Sequence, residues 1–240
     1  MKTSFKPTDL PSHIGIIMDG NRRWAKKRFL PSVKGHSKGA EVLKSISLYC
    51  NKLGLKYLTV YAFSTENWKR SNEEVTYLMR LFKKYLNDVI AEIFKLENIR
   101  IKFIGNTSVL SSEIKDLISQ IEEKSSQNTG MTLTIAFNYG GKEEIKSAVK
   151  SLVKDVISGC VAFEDISEDE LSKRMYAPTH PDVDLIIRTA GEQRISNFML
   201  WESAYCEFYF TKVLWPDFNQ TEFDKAIEEY NSRTRRFGGV

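Results

Sequence analysis

Along this chain, short uninterrupted apolar runs alternate with longer stretches whose apolar residues recur every three or four positions. The short runs span His13 to Met18, Tyr57 to Phe63, Arg100 to Ile104, Thr132 to Phe137, Val183 to Ile187 and Glu207 to Phe210. Continuous apolarity is what strands buried on both faces require, so these runs predict a mostly parallel sheet. Between them, Ala40, Leu43, Ile46, Cys50 and Leu53 mark one face of a helix over Lys38 to Leu53, which Gly54 stops. After Ser71, a cap residue followed by Glu73 and Glu74, a wider stripe runs through Val75, Leu78, Met79, Phe82, Leu86, Val89, Ile90, Ile93 and Phe94. That stripe is readable as plain core or as the wall of a tunnel for a lipid chain. With no repeat and no Pro/Gly-rich linker, the alternation predicts an α/β fold in a single domain, 1–240, its central sheet flanked by helices.

Composition narrows the picture little. A chain of 240 residues, 42% hydrophobic and 28% charged, can bury a full core and suits an enzyme or a binding module equally. The net charge of +4 favours anionic partners without choosing among diphosphates, membrane surfaces and nucleic acid. Cys50, Cys160 and Cys206 are odd in number and lack paired spacing, which argues against a disulfide framework or thiolate metal site and for a reducing cytoplasm. The opening MKTSFKPTDLPSH has no apolar signal core, and no later segment offers roughly 18 uncharged apolar residues, so any membrane contact is expected to be peripheral. His13, His36 and His180 make no zinc pattern, and GxxxxGK[ST], GxGxxG and DDxxD motifs are missing. The acidic run ending in Glu168, Asp169 and Glu170 follows Ser167 and reads as a capped helical turn.

Chemistry concentrates where apolar runs end. The first end is IGIIMDGNRRW, Ile14 to Trp24: Gly20 permits close backbone approach to an anion, Arg22 and Arg23 supply charge, and Asp19 fits such a site if a hard cation such as Mg²⁺ bridges it to a diphosphate. It is equally readable as a strand-to-turn Asp beside surface arginines. At YAFSTENWKR, Ser64, Glu66, Asn67 and Arg70 are interleaved with Phe63 and Trp68, either a site holding charge beside an apolar body or a helix cap over aromatic core. At the third end Arg188 precedes Glu192, Arg194 and Ser196; two arginines and a hydroxyl suit a diphosphate, unless an arginine pairs with Glu192.

Taken together, HIGIIMDGNRRWAKK, GHSKGA, YAFSTENWKR, NYGG, DLIIRTAGEQRISNFMLWESAYCEFYF, VLWPDF and RRFGG resemble, in order and over almost the whole chain, the cis-prenyltransferase family in its bacterial undecaprenyl diphosphate synthase branch. The resemblance implies an Mg²⁺-dependent homodimeric enzyme that joins isopentenyl diphosphate to an allylic diphosphate such as farnesyl diphosphate, with helices and sheet enclosing a hydrophobic tunnel. It implies Asp19 as the catalytic Mg²⁺ residue, and an allylic diphosphate site of Gly20, Asn21, Arg22, Arg23, Trp24 and His36. Ser64, Thr65, Glu66, Trp68 and Arg70 match a loop closing on substrates, with Asn67 where proton removal is assisted. Arg188, Arg194, Ile195 and Ser196 match the isopentenyl diphosphate site, Glu207 a second Mg²⁺ carboxylate, and Arg236 to Gly238 an arm crossing the dimer interface. The chain departs from the family at Ser32, commonly Arg, where Lys34 is a candidate substitute. No nucleic-acid partner is implied, and membrane contact would serve product release. A non-catalytic partner subunit of the same fold is the rival reading; such subunits lack the catalytic Asp, which is present here as Asp19.

Overall fold

The computed structural model describes residues 10–87 and 98–233. Val89, Ile90, Ile93 and Phe94 of the apolar stripe, and Arg235 to Gly239, lie outside the described residues. All the predicted strands form: β1 (His13–Ile17), β2 (Tyr57–Ser64), β3 (Arg100–Ile104), β4 (Thr132–Tyr139), β5 (Leu185–Arg188) and β6 (Glu207–Phe210). They make one six-stranded sheet in the order β3-β4-β2-β1-β5-β6, every pairing parallel. Helices are α1 (Asn21–Lys27), α2 (Ser32–Leu53), α3 (Asn72–Tyr85), α4 (Ser112–Ser125), α5 (Gly141–Ile157), α6 (Glu168–Ser172) and α7 (Gln220–Ser232). Gly54 ends α2 in the left-handed conformation, and Ser71 and Ser167 cap α3 and α6 by accepting from Glu74 N and Glu170 N.

Alternate strand residues feed different cores. Ile14, Ile16, Leu58, Val60, Leu133, Ile135, Leu185 and Ile187 pack with α2, α3, α4 and α7, and Met131 is buried in this same core. Ile17, Ala136 and Ile186 face the other way, onto Tyr139, Phe198 and Met199. The connection from β1 proceeds to β2 on one side, whereas β5 lies on the other side and continues to β6. The carboxyl ends of β1 and β5 therefore flank a topological switch point, the usual ligand crevice of open parallel sheets.

The glycines of GHSKGA let α2 approach the segment leaving β1. A Cβ on Gly35 would stand 2.1 Å from the Asn21 carbonyl oxygen, and one on Gly39 would stand 2.4 Å from Asn21 Oδ1 and 2.9 Å from the Trp215 ring. Trp215 Nε1 seals the crossing by donating to Gly39 O at 2.9 Å. We expect Gly35→Ala to cost about 2–4 kcal/mol, because backbone has to move, and to lower Tm by roughly 5–15 °C in scanning calorimetry. An unchanged Tm would show that the crossing yields without cost.

Candidate active site

At the switch point the strand ends meet. Asp19 follows β1, and its carbonyl is fixed by Thr189 Oγ1 at 2.6 Å and Trp215 N at 3.0 Å. Gly20 next to it takes φ 108°, a backbone open to glycine, and turns the chain into α1. From the end of β5, buried Arg188 donates to Asp19 Oδ2 at 3.0 Å, to Ser196 Oγ at 2.7 Å and to the Arg194 carbonyl. Arg23 lies 3.5 Å from Asp19 Oδ1 and 3.2 Å from Glu192, and donates to Ala190 O at 2.9 Å. The loop carrying these partners holds Ala190, Ser196, Asn197 and Met199 at positive φ, a concentration of backbone strain typical of functional loops.

From β2, Ser64 leads into a short 3-10 turn, Thr65–Lys69, closed by a capping box in which Asn67 Oδ1 accepts from Ser64 N at 3.2 Å. Glu66 takes a hydrogen bond of 3.0 Å from Asn197 Nδ2, which ties this turn to the strained loop. Burial pushes the Glu66 carboxyl up, but its own backbone amide and the Asn197, Ser64 and Thr65 side chains outweigh that and hold it below the usual carboxylate range. Arg70 reaches Glu74 at 2.9 Å, and Arg22 and His36 approach the same carboxylate at 3.6 and 3.9 Å. His36 is lowered to about 4, first by burial and then by Arg70, so it is neutral at pH 7.

Three connected spaces result. A polar cleft of ≈ 550 Å³ is lined by Asp19, Asn21, His36, Ser64, Glu66, Asn67, Arg70, Arg188, Ser196 and Asn197. A second, of ≈ 810 Å³, is lined by Asp19, Gly20, Asn21, Arg22, Arg23, Lys26, Ser32, His36 and Arg70. Met18, Asn21 and His36 also belong to an apolar cavity of ≈ 110 Å³ walled by Leu43, Ala62, Phe63, Leu78, Phe82, Tyr85 and Phe137. Phe137 stacks on Phe82 at 3.7 Å and on Phe63 at 5.2 Å, giving that cavity an aromatic wall. Among the described residues, Asn21 Oδ1, His36 Nε2 and Arg188 Nε are buried at these clefts without a hydrogen-bond partner. The oxygen donors also suit a hard divalent cation. Asp19 is the carboxylate at this strand end, and among the described residues no three His, Cys, Asp or Glu side chains converge.

Several predicted residues stand elsewhere. Trp24 is one helical step past Arg23 and turns outward, donating to Asp217 at 2.6 Å beneath the Arg28 guanidinium. Glu207 does not join Asp19 within one chain: it is level with Leu185 and Ile14 at the amino end of the sheet, roughly 15 Å back along the strands, and pairs with Arg233 at 2.5 Å. Thr65 bonds to Glu66, and Trp68 to Asn138 at 2.7 Å, both outside the cleft lining. Arg194 is exposed and pairs with Glu192 at 2.6 Å, and Ile195 contributes its carbonyl to Phe198 N. Lys34 does not line the clefts, whereas Lys26 does. Glu74, Glu192, Lys26 and Asn197 also stand at the clefts or on their cations, though nothing in the sequence singles out Lys26 and Asn197 within their motifs, and Glu74 reads there only as a helix-start acid and Glu192 only as a possible arginine partner.

Beneath the strained loop lies a carboxylate pair. Tyr139 Oη and Tyr176 N donate to Glu144, and nearby Glu202 is pushed up to about 7, first by burial and then by the Glu144 charge. A carboxyl raised in the fold favours its protonated form, so its contribution is present below the unfolded value and lost as pH rises through about 7. Glu202→Gln should therefore be more stable than the parent at pH 8 by on the order of 3 kcal/mol, the gap closing toward pH 5. Parallel Tm-versus-pH curves would refute this.

Comparison with known proteins agrees with the geometry. The prenyltransferase family model for undecaprenyl diphosphate synthase matches residues 17–238. An isoprenyl transferase of Clostridium perfringens is 48% identical over 231 residues, 96% of this chain and 91% of its own length. Lavandulyl diphosphate synthase from Lavandula x intermedia, solved with dimethylallyl diphosphate, superposes with a TM-score of 0.93 at 37% identity, covering 96% of this chain and 99% of that one. A probable undecaprenyl diphosphate synthase from Campylobacter jejuni gives 0.79 at 31%, covering 95% and 99%.

Proposed function

The chain belongs to the undecaprenyl diphosphate synthase family of prenyltransferases, and we propose that it condenses isopentenyl diphosphate with an allylic diphosphate, farnesyl diphosphate by preference, in successive cis additions. The product on this reading is a long polyprenyl diphosphate of the undecaprenyl type, the precursor of a cell-wall carrier lipid, made in the cytoplasm. One observation carries the proposal: polar clefts rich in cations and an apolar cavity share Met18, Asn21 and His36, so one ligand can set a diphosphate and a hydrocarbon tail in adjoining spaces.

The allylic diphosphate is assigned to Gly20, Asn21, Arg22, Arg23, His36 and Arg70, and isopentenyl diphosphate to Arg188 and Ser196. Asp19 is the residue that would hold Mg²⁺, which would supply charge neutralisation to the departing diphosphate. The double-bond electrons of isopentenyl diphosphate form the new carbon–carbon bond as the allylic carbon–oxygen bond breaks, the leaving diphosphate keeping the electron pair. The condensed chain then loses a proton to an oxygen of the released diphosphate, the C–H electrons forming the new double bond. Asn67, whose amide is a poor base and is already engaged with Ser64, orients this step instead of accepting the proton. His36 donates or accepts as a neutral imidazole. Positioning and charge compensation supply the rate. The cavity holds the start of a chain, and growth has to displace the Phe82–Phe137 stack. An apolar outer face of α5 bearing Val149, Val153 and Ile157, next to exposed Phe163 and Ile166, supports assembly of two copies.

The test is incorporation of radiolabelled isopentenyl diphosphate with farnesyl diphosphate, with and without Mg²⁺, followed by chromatographic sizing of the lipid. Long Mg²⁺-dependent products are expected. No incorporation by folded protein would overturn the enzyme assignment in favour of a non-catalytic partner.

A further inference from the structure

We propose that the turn between α1 and α2, tipped by Phe29 and Leu30, docks the mouth of the diphosphate cleft onto an anionic bilayer surface. Phe29 is 99% exposed and Leu30 41%. The backbone at Phe29 has φ 56°, the left-handed position that closes a helix and that glycine fills without strain. The motif is complete, with Phe29 N donating to Lys26 O and Leu30 N to Ala25 O, so the chain holds a large ring in a strained backbone and in water. Neither the local fold nor the core requires that ring, and folding alone would favour a glycine.

The base of the turn is rigid. Arg28 pairs with Asp217 at 3.2 Å and covers Trp24, which itself bonds to Asp217. Around the tip, residues 20–40 contain no acidic side chain. Lys26, Lys27 and Lys34 are exposed and have no ion-pair partner among the described residues, whereas Arg22, Arg23, Arg28 and Lys38 are paired. An apolar tip set among unpaired lysines complements an interface of anionic headgroups over hydrocarbon, the rings and aliphatic side chains entering and the ammonium groups remaining at the phosphates. Phe29, Leu30 and Lys26 line the same cleft as Asp19 and Arg23, so docking would bring that cleft to the bilayer surface. The choice of lipid over a protein partner rests on the proposed function, in which both tail and product are lipids.

The test is sedimentation of the full chain with vesicles of phosphatidylcholine alone or with about 30% phosphatidylglycerol, together with fluorescence of Phe29→Trp. Expected are binding to the anionic vesicles at low salt, loss at about 0.5 M salt, and at least about tenfold weaker binding by Phe29→Gly, a variant whose backbone suits the turn. Phe29→Trp should show a blue shift and quenching by brominated lipid. Phe29→Gly binding as well as the parent, or no spectral change in Phe29→Trp, would overturn the proposal. So would loss of self-association in Phe29→Gly by sedimentation velocity, which would give the tip to a second copy. These readouts need no turnover, so they stand or fall separately from the incorporation assay.

Discussion

Asp19→Ala should lower kcat/KM by at least about a thousandfold, on the order of 4 kcal/mol of transition-state stabilisation. The same change should also cost stability, about 1–3 kcal/mol. The sequence suggests a free strand-end carboxylate whose removal leaves the fold untouched, but Asp19 accepts from Arg188, whose side chain is only 5% exposed. Taking the carboxylate away strips a buried guanidinium of one partner, though Ser196 and the Arg194 carbonyl remain. Asp19→Asn separates the two effects. It keeps an acceptor for Arg188, so Tm should stay near that of the parent while activity is still lost. Initial rates and calorimetry on both variants check this; near-normal turnover in either would remove Asp19 from the mechanism.

Arg188→Lys should raise KM for isopentenyl diphosphate by about a hundredfold and lower Tm as well. Arg188 joins Asp19 after β1, Ser196 and the Arg194 carbonyl through one planar fork, and a single ammonium on a flexible stem cannot satisfy all three. Arg194 is the internal control. Its side chain is 60% exposed and, among the described residues, pairs with Glu192 alone, so Arg194→Ala should change KM by less than about tenfold. Titrating isopentenyl diphosphate at fixed allylic substrate gives both numbers. Equal effects at the two positions would mean that the buried fork has no special role.

The sheet was legible because parallel strands must be apolar on both faces, and β1 through β6 are short apolar runs with few competing interpretations. Their order was not, since nothing in a strand's own residues says that β4 inserts between β2 and β3. The site divides the same way. Asp19, Arg23 and Arg188 stand together at the carboxyl ends of β1 and β5, where the sequence already concentrates charged groups because strand ends gather ligand chemistry. That Trp24 and Glu207 lie away from this cluster within one chain was not readable from sequence: a helical step of about 100° decides which side of α1 a residue takes, and strand polarity decides which end of the sheet it reaches. Glu74 shows the opposite failure. It reads as a first-turn acid that stabilises a helix start, and that role hides its position among Arg22, His36 and Arg70, which come from other elements.

Those internal acids have a consequence for selectivity. With Glu74 on Arg22 and Arg70, Glu192 on Arg23 and Asp19 on Arg188, the cleft carries counterions of its own. Entry of a substrate is then an exchange of one anion for another, not the filling of a bare positive hole. A monoanion gains little by displacing a carboxylate at the same contact distance, whereas a diphosphate brings several charges and many acceptor oxygens at once. On the proposed function the cleft would work as a valence filter, refusing lipid alcohols and weakly charged acids that the apolar cavity alone would admit, and easing release of product because the carboxylates would take their partners back.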